Sequence, residues 1–238
     1  MKTTTFFFIL LSGITFCNTS FAQDGKQRNY FPAWTYHQKN IHIHGISVGI
    51  GTVSNAVRNT NTNGIKIELI GAGIVIPLVP RSPVVESDSA FEKIAGQPVS
   101  EKINGLSLSA TGTVCDCITN GINTGLIGNI NFQVNGITAS VFMNFAQKHN
   151  GLQLAMFNEA YYLNGLQAGV SNYGAHTQGI QIGIGNFGRT TKGLQLGIFN
   201  KTKSLRGLQF GLWNVNEKRK LPIINWQFKS KNTREISS

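Results

Sequence analysis

The side chains able to do chemistry are few and scattered. His37, His42 and His44 fall within eight positions of one another. On an extended chain residues two apart share a face, so His42 and His44 could share a metal with His37. With no carboxylate or cysteine beside them, they read instead as surface histidines. Cys115 and Cys117 also stand two apart. Two thiolates do not complete a metal site, and a disulfide between them would close a small strained ring, which an oxidising compartment permits. The plainer reading makes them small wall residues. Gly183-Ile184-Gly185-Asn186-Phe187-Gly188 has the spacing of a dinucleotide fingerprint. Neither the helix nor the downstream acid that such a site needs follows it. Acidic residues number 10, and Glu86, Asp88, Glu92 and Glu101 crowd into one segment, which leaves no carboxylate pair for hydrolysis. No nucleophile elbow or zinc-protease helix is present. The sequence therefore predicts no catalytic residue, no cofactor and no metal, and points away from an enzyme.

The residues that recur are amides and bases on a fixed frame. From Gly151 the chain reads GLQLAMFN, GLQAGVSN, GIQIGIGN, GLQLGIFN and GLQFGLWN, with opening glycines at 151, 165, 179, 193 and 207. Glutamine is always third (Gln153, Gln167, Gln181, Gln195, Gln209) and asparagine always eighth (Asn158, Asn172, Asn186, Asn200, Asn214). Positions two, four and six are apolar, an alternation of period two that predicts a strand with those side chains buried. About six polar turn residues complete each unit and carry Arg189, Lys192, Lys201, Lys203 and Arg206. The candidate binding surface is the glutamine rows together with these basic turns.

A strict 14-residue step is the signature of a repeat architecture. Burying three apolar side chains yields about 5–9 kcal/mol, against roughly 14–28 kcal/mol of backbone entropy for a unit, so units must stack. The predicted fold is all-β, a parallel β-solenoid of about ten 14–16-residue coils with end caps, in which identical amides stack on their copies. The alternative is an antiparallel meander or outer-membrane β-barrel, with Gln and Gly facing a lumen and Phe157, Phe199 and Trp213 in an aromatic girdle. Uniform loop length favours the solenoid.

The rest of the chain divides around this frame. Residues 1–22 have a basic start, an apolar run from Phe6 to Phe16 and a Ser20-Phe21-Ala22 cleavage site, and read as a signal peptide. Residues 23–44 form an aromatic N-terminal cap, with Tyr30, Phe31, Trp34 and Tyr36 as a plug. Residues 45–80 hold irregular first repeats and a strand pair buried on both sides up to Pro80. Residues 81–102 form an exposed excursion, with a short helix near Ser89 to Ala95. The tandem repeats fill 103–214 and a C-terminal cap spans 215–228, with Trp226 and Phe228 covering the stack. Residues 229–238 form a disordered tail. Lys and Arg number 21 against 10 acids, a net charge of +11. An exported chain with that balance suits anionic envelope components, lipid phosphates or glycans, or another envelope protein; a nucleic-acid role is excluded by the absence of an aromatic-and-basic module.

Tandem G-[LI]-Q-x-G-[LVI]-x-N units behind a signal peptide resemble the bacterial surface repeat-containing proteins of spirochaetes and Bacteroidetes-type genomes. The likeness is close over residues 151–214 and loose over 105–150. It implies an exported protein of the periplasm, outer membrane or cell surface. The family has no assigned function, so it supplies no site residues. The expected role is structural or binding, without catalysis; the alternative is an outer-membrane barrel or small pore.

Overall fold

A computed structural model describes residues 27–51 and 57–228. The signal-peptide and C-terminal-tail expectations fall outside those residues. The strands are β1 (Arg28–Tyr30), β2 (Ala33–Thr35), β3 (Ile41–Gly49), β4 (Thr60–Glu68), β5 (Glu101–Ser109), β6 (Val114–Gly125), β7 (Gly128–Ala139), β8 (Met143–Leu154), β9 (Phe157–Ala168), β10 (Ser171–Val215) and β11 (Lys220–Gln227). A 3-10 segment at Ala72–Leu78 and helix α1 (Asp88–Ala95) lie between β4 and β5.

Every pairing from β3 through β10 is parallel and joins like positions of neighbouring units: Gly45↔Gly64, Gly64↔Gly105, Gly105↔Gly121, Gly121↔Gly136, Gly136↔Gly151, Gly151↔Gly165 and Gly165↔Gly179. The chain is a β-solenoid of about ten coils. The antiparallel meander or barrel is not the fold adopted. Each opening glycine turns a corner at positive φ, from 124° to 152°. A Cβ on Gly193 would stand 1.9 Å from the carbonyl oxygen of Gly179, and its counterparts meet the same obstacle. The glycines recur because the coils touch there, backbone on backbone.

The interior reverses the expected polarity. Gln153, Gln167, Gln181, Gln195 and Gln209 are 0% exposed, while the apolar positions beside them look outward. Ile184 is 51%, Leu212 69% and Trp213 47% exposed. The interior is filled instead by the Gln row, the Asn row, small residues such as Ala160, and Leu163 or Leu205 from the turn. The amides satisfy one another. From Gln167 onward each Gln Nε2 donates to the Gln Oε1 one coil back at 2.7–2.9 Å, and Gln153, the first of the row, donates to the Asn144 carbonyl at 3.0 Å. Asn158, Asn172, Asn186 and Asn200 each donate to the Asn Oδ1 one coil ahead at 2.7–3.0 Å. The same Asn Nδ2 atoms also bond the carbonyls of Ala168, Ile182, Leu196 and Phe210. Buried amides with their partners in place cost little, and such chains reinforce each other.

The ends depart from the sequence expectations in instructive ways. At the front, β1 and β2 lie parallel beside β3 as a partial coil. Tyr36 packs on Ile41 and Ile43 with Tyr30 and Trp34 beside it, so three of the four plug aromatics cap the interior, whereas Phe31 is 81% exposed. The strand pair expected up to Pro80 ends at Glu68; beyond it Ile70, Ile74, Val75 and Leu78 are exposed rather than buried on both sides. At the back, β11 returns antiparallel to the last coil and closes it with the inward Asn225 and Gln227. Trp226 and Phe228 do not cover the stack: they face out, with the Arg219 guanidinium 4.5 Å above the Trp226 ring. Cys115 and Cys117 are joined by a disulfide where the β6–β7 register slips.

Candidate functional site

Aligning the coils by their glycines produces columns of side chains along the outer wall. Position twelve carries Lys148, Tyr162 and His176, followed by Thr190 in the next coil; position fourteen carries Asn150, Asn164 and Gln178, followed by Lys192. These columns border a groove of about 670 Å³. Its other side is Phe91 of α1. The segment 81–102 is therefore not a free excursion. Ser87 caps α1 by accepting from the Ala90 amide, and the helix lies back on the turn wall. Val84 is buried against Tyr161 and Ala175. Gln147 clamps the approach, accepting from the Val85 amide at 3.0 Å and donating to the Pro83 carbonyl at 2.8 Å.

Asp88 is the clasp between helix and wall. Its Oδ1 accepts from the Tyr161 hydroxyl at 2.6 Å and the Tyr162 hydroxyl at 3.1 Å, and lies 3.3 Å from Nε2 of His176. The Tyr161 hydrogen bond, then that of Tyr162, holds the Asp88 carboxyl below the usual carboxylate range. Burial, then the bond to Asp88, pushes both tyrosine hydroxyls up, so they remain donors. Tyr162 and His176 stack at 5.1 Å between ring centroids, and Phe91 meets Tyr162 edge-on at 4.7 Å. A carboxylate oxygen already shared three ways is an anchor rather than a base. What the groove offers a ligand is an aromatic wall, amides and cations.

A second feature adjoins it. The glycines at 136, 151, 165 and 179 and the neighbouring Ile137, Leu152, Leu166 and Ile180 line a shallow trough of about 840 Å³, with Asn164 and Gln178 on its rim. Beyond the trough the apolar face continues. Position two is aliphatic in all ten coils, from Ile46 to Leu208, and position four is apolar in every coil but that of Thr124. Ten coils at the ~4.8 Å strand spacing, by four residues of strand, give a flat face of roughly 550 Å².

The sequence-derived surface is thus divided. The five glutamines are sealed inside the coils, each bonded to its copies, and present nothing to a partner. Lys201, Lys203 and Arg206 are exposed on the last coils and Arg189 is half-buried. Lys192 alone of the predicted bases enters the groove. The sequence reading missed Lys148, Tyr161, Tyr162, His176 and Asp88. Two adjacent tyrosines in an otherwise polar turn were the available signal for the wall; nothing local marks Asp88, which arrives from more than seventy residues away. His37 and His42 are engaged locally, His37 Nε2 by the Ile50 amide and His42 by Gln27 and Asn61, and among the described residues no cluster of three metal-ligating side chains occurs. Comparison with protein families, curated proteins and solved structures gives no significant match.

Proposed function

We propose that this protein is an exported, non-catalytic envelope scaffold that lays its apolar face on an anionic lipid surface. The observation that carries this reading is the face itself: aliphatic rows running the length of the solenoid and turned outward. Soluble monomers rarely leave a contiguous apolar patch above a few hundred Å² without a use for it. The charge selects the occupant. From Gly136 to Asn214 no acidic residue stands at positions two, four, six, seven or fourteen, whereas Lys192 and Arg206 border the face at position fourteen. Two copies, each strongly basic, would repel one another on approach, and a lipid phosphate layer would attract either. Phe199, Trp213 and Trp226 gather exposed at the C-terminal end, where aromatic side chains suit a bilayer interface. The resemblance to surface repeat proteins agrees with an envelope location. A pore has no basis in a parallel solenoid with a filled interior.

Flotation with vesicles tests the proposal. The protein is expected to float with vesicles containing phosphatidylglycerol and much less with pure phosphatidylcholine. An Ile182→Ser/Leu208→Ser/Phe210→Ser variant, which cuts into the rows at positions two and four, is expected to stay at the bottom of the gradient. Wild-type protein that ignores anionic vesicles at low salt, or that instead forms a dimer abolished by the same substitutions, would refute the lipid reading.

A further inference from the structure

A column of asparagines runs up the outside of the solenoid at position fourteen, and it stops at the groove. Asn104, Asn120, Asn135 and Asn150 each donate to the asparagine one coil earlier, ending at Asn63, every bond being 2.7 Å. The next two members, Asn164 and Gln178, break the ladder: among the described residues neither side chain has a hydrogen-bond partner. Both border the groove and the glycine trough at once. The amides are freed where the two hollows meet.

The hollows have opposite chemistry. The groove is bounded by Lys148 and Lys192, neither of them ion-paired among the described residues, with the Tyr162–His176 stack between their columns. The trough is almost wholly apolar, walled by aliphatic side chains and floored by glycines whose missing side chains make the hollow. It crosses four coils, about 14 Å along the axis at the parallel strand spacing. The Asp88 carboxylate behind the stack is already engaged by Tyr161, Tyr162 and His176, so the uncommitted charges of the recess are the two lysines. Such a recess, joined through unpaired amides to an apolar channel, fits one kind of molecule.

We infer that this junction binds a single anionic acyl amphiphile, its phosphate or carboxylate between Lys148 and Lys192 and its chain along the glycine trough. Asn164 and Gln178 hydrogen-bond the neck of the molecule, where head and chain join. The inference rests on the lipid-facing reading above for the class of ligand, and it goes further by assigning one molecule to one place. The shared chemistry belongs equally to a membrane lipid and to a free fatty acid or alkyl phosphate, and the two sources are separated by experiment.

Isothermal titration of the full chain with octyl phosphate, octyl glucoside and inorganic phosphate tests the site, each kept monomeric. Octyl phosphate is expected to bind with one molecule per chain, about tenfold or more tighter than either of the others, because each lacks one half of the recognition. Lys148→Gln/Lys192→Gln is expected to erase the preference for octyl phosphate over octyl glucoside. Leu166→Thr/Ile180→Thr is expected to weaken both alkyl ligands alike, with far-ultraviolet circular dichroism confirming that each variant keeps its strands. Equal binding of inorganic and octyl phosphate, equal binding of octyl phosphate and octyl glucoside by the wild type, or an undiminished preference in the lysine variant would each overturn the site. Vesicle flotation of the wild type, set beside its titration, separates the two proposals. Flotation without octyl phosphate binding leaves the surface reading and rejects the site; octyl phosphate binding by a wild type that never floats rejects membrane docking and makes the protein a carrier of free amphiphiles.

Discussion

In an ordinary globular core, replacing isoleucine by alanine is costly and replacing asparagine by alanine is mild. This solenoid predicts the reverse. Asn186 is buried, donating to Leu196 O at 2.9 Å and Asn200 Oδ1 at 2.8 Å and accepting from Asn172 Nδ2 at 3.0 Å. Asn186→Ala removes all three bonds and leaves the Asn200 oxygen in a dry interior with no donor. Three net hydrogen bonds at ~1 kcal/mol each, plus an orphaned buried acceptor at ~1–3 kcal/mol, come to about 4–6 kcal/mol. Ile184, two residues earlier on the same strand, is half in solvent. Ile184→Ala forfeits only part of the ~1.5–3 kcal/mol that full burial of such a side chain is worth, about 1 kcal/mol. Urea unfolding of the two variants beside the wild type gives the comparison directly, because the midpoint shift reads stability when the slope is unchanged. Should Ile184→Ala lower the midpoint more than Asn186→Ala, the amide ladder is not what holds the coils together and the assignment of inside and outside is wrong.

Gly193→Ala forces a side chain into a residue at φ 137° with a carbonyl oxygen 1.9 Å away, and it is expected to cost at least ~1–3 kcal/mol by the same urea assay, whereas Gly96→Ala, in the α region at the end of α1 with its nearest neighbour at 3.6 Å, is expected to be near neutral. His149 is buried with Nε2 3.2 Å from Thr138 Oγ1, and burial holds its pKa down to about 4 from the usual 6.5. Between those values the unfolded chain binds the extra proton, so stability falls as pH drops from 6.5 to 4, by about 3 kcal/mol; His149→Gln is expected to remove that part of the slope in urea midpoints measured across the range. Lys66 occupies the inward column otherwise held by Ser47 and Ser107, with Nζ 2.7 Å from Glu101 Oε2 and 4.3 Å from the Tyr36 ring centroid. Lys66→Met leaves the buried Glu101 carboxylate with only the Arg58 guanidinium, 3.5 Å away, and is expected to cost up to ~3 kcal/mol, the low end for a broken buried pair, most of it recovered in the Lys66→Met/Glu101→Gln pair; equal loss in the single and double variants would refute the pairing.

Much of the architecture could be read from spacing alone. A constant 14-residue step with glycine, glutamine and asparagine at fixed places specifies one operation repeated, and stacked amides require that operation to keep strand direction. The helix at Asp88–Ala95 was also legible, in Ser87 followed by a short amphipathic run. Period two, however, states which side chains share a face and leaves open which face is inward. Leu152, Leu154 and Met156 share a face whether it points in or out. The choice follows from which rows can satisfy themselves inside: the Gln and Asn amides bond to their own copies along the axis, which only the stacking of the coils reveals. The candidate site was less legible still. Lys148, Tyr162 and His176 become neighbours only when units of unequal length are set in register, Phe145 to Glu159 and Lys148 to Tyr162, and the wall they form is completed by a helix from outside the repeat.

That inversion bears on function through energetics. If the aliphatic rows formed the core, their hydrophobicity would be explained by folding and would say nothing more. Here the amide ladders, the glycine corners and the backbone pairing hold the coils, and the outward rows contribute little that polar β-formers such as threonine would not. Threonine does occupy one of them, Thr124, paired between Leu108 and Ala139 without disturbing the ladder. Apolar side chains on every remaining coil of that column, Phe210 at its end included, are then a property of the surface, as the freed amides of Asn164 and Gln178 are. Replacing Ile137, Leu152, Leu166 and Ile180 together by threonine, at ~1 kcal/mol or less for each partly exposed site, should cost no more than Asn186→Ala alone while removing both vesicle flotation and octyl phosphate binding. A large loss of stability in that variant would return the rows to the core and leave the lipid-facing account without its premise.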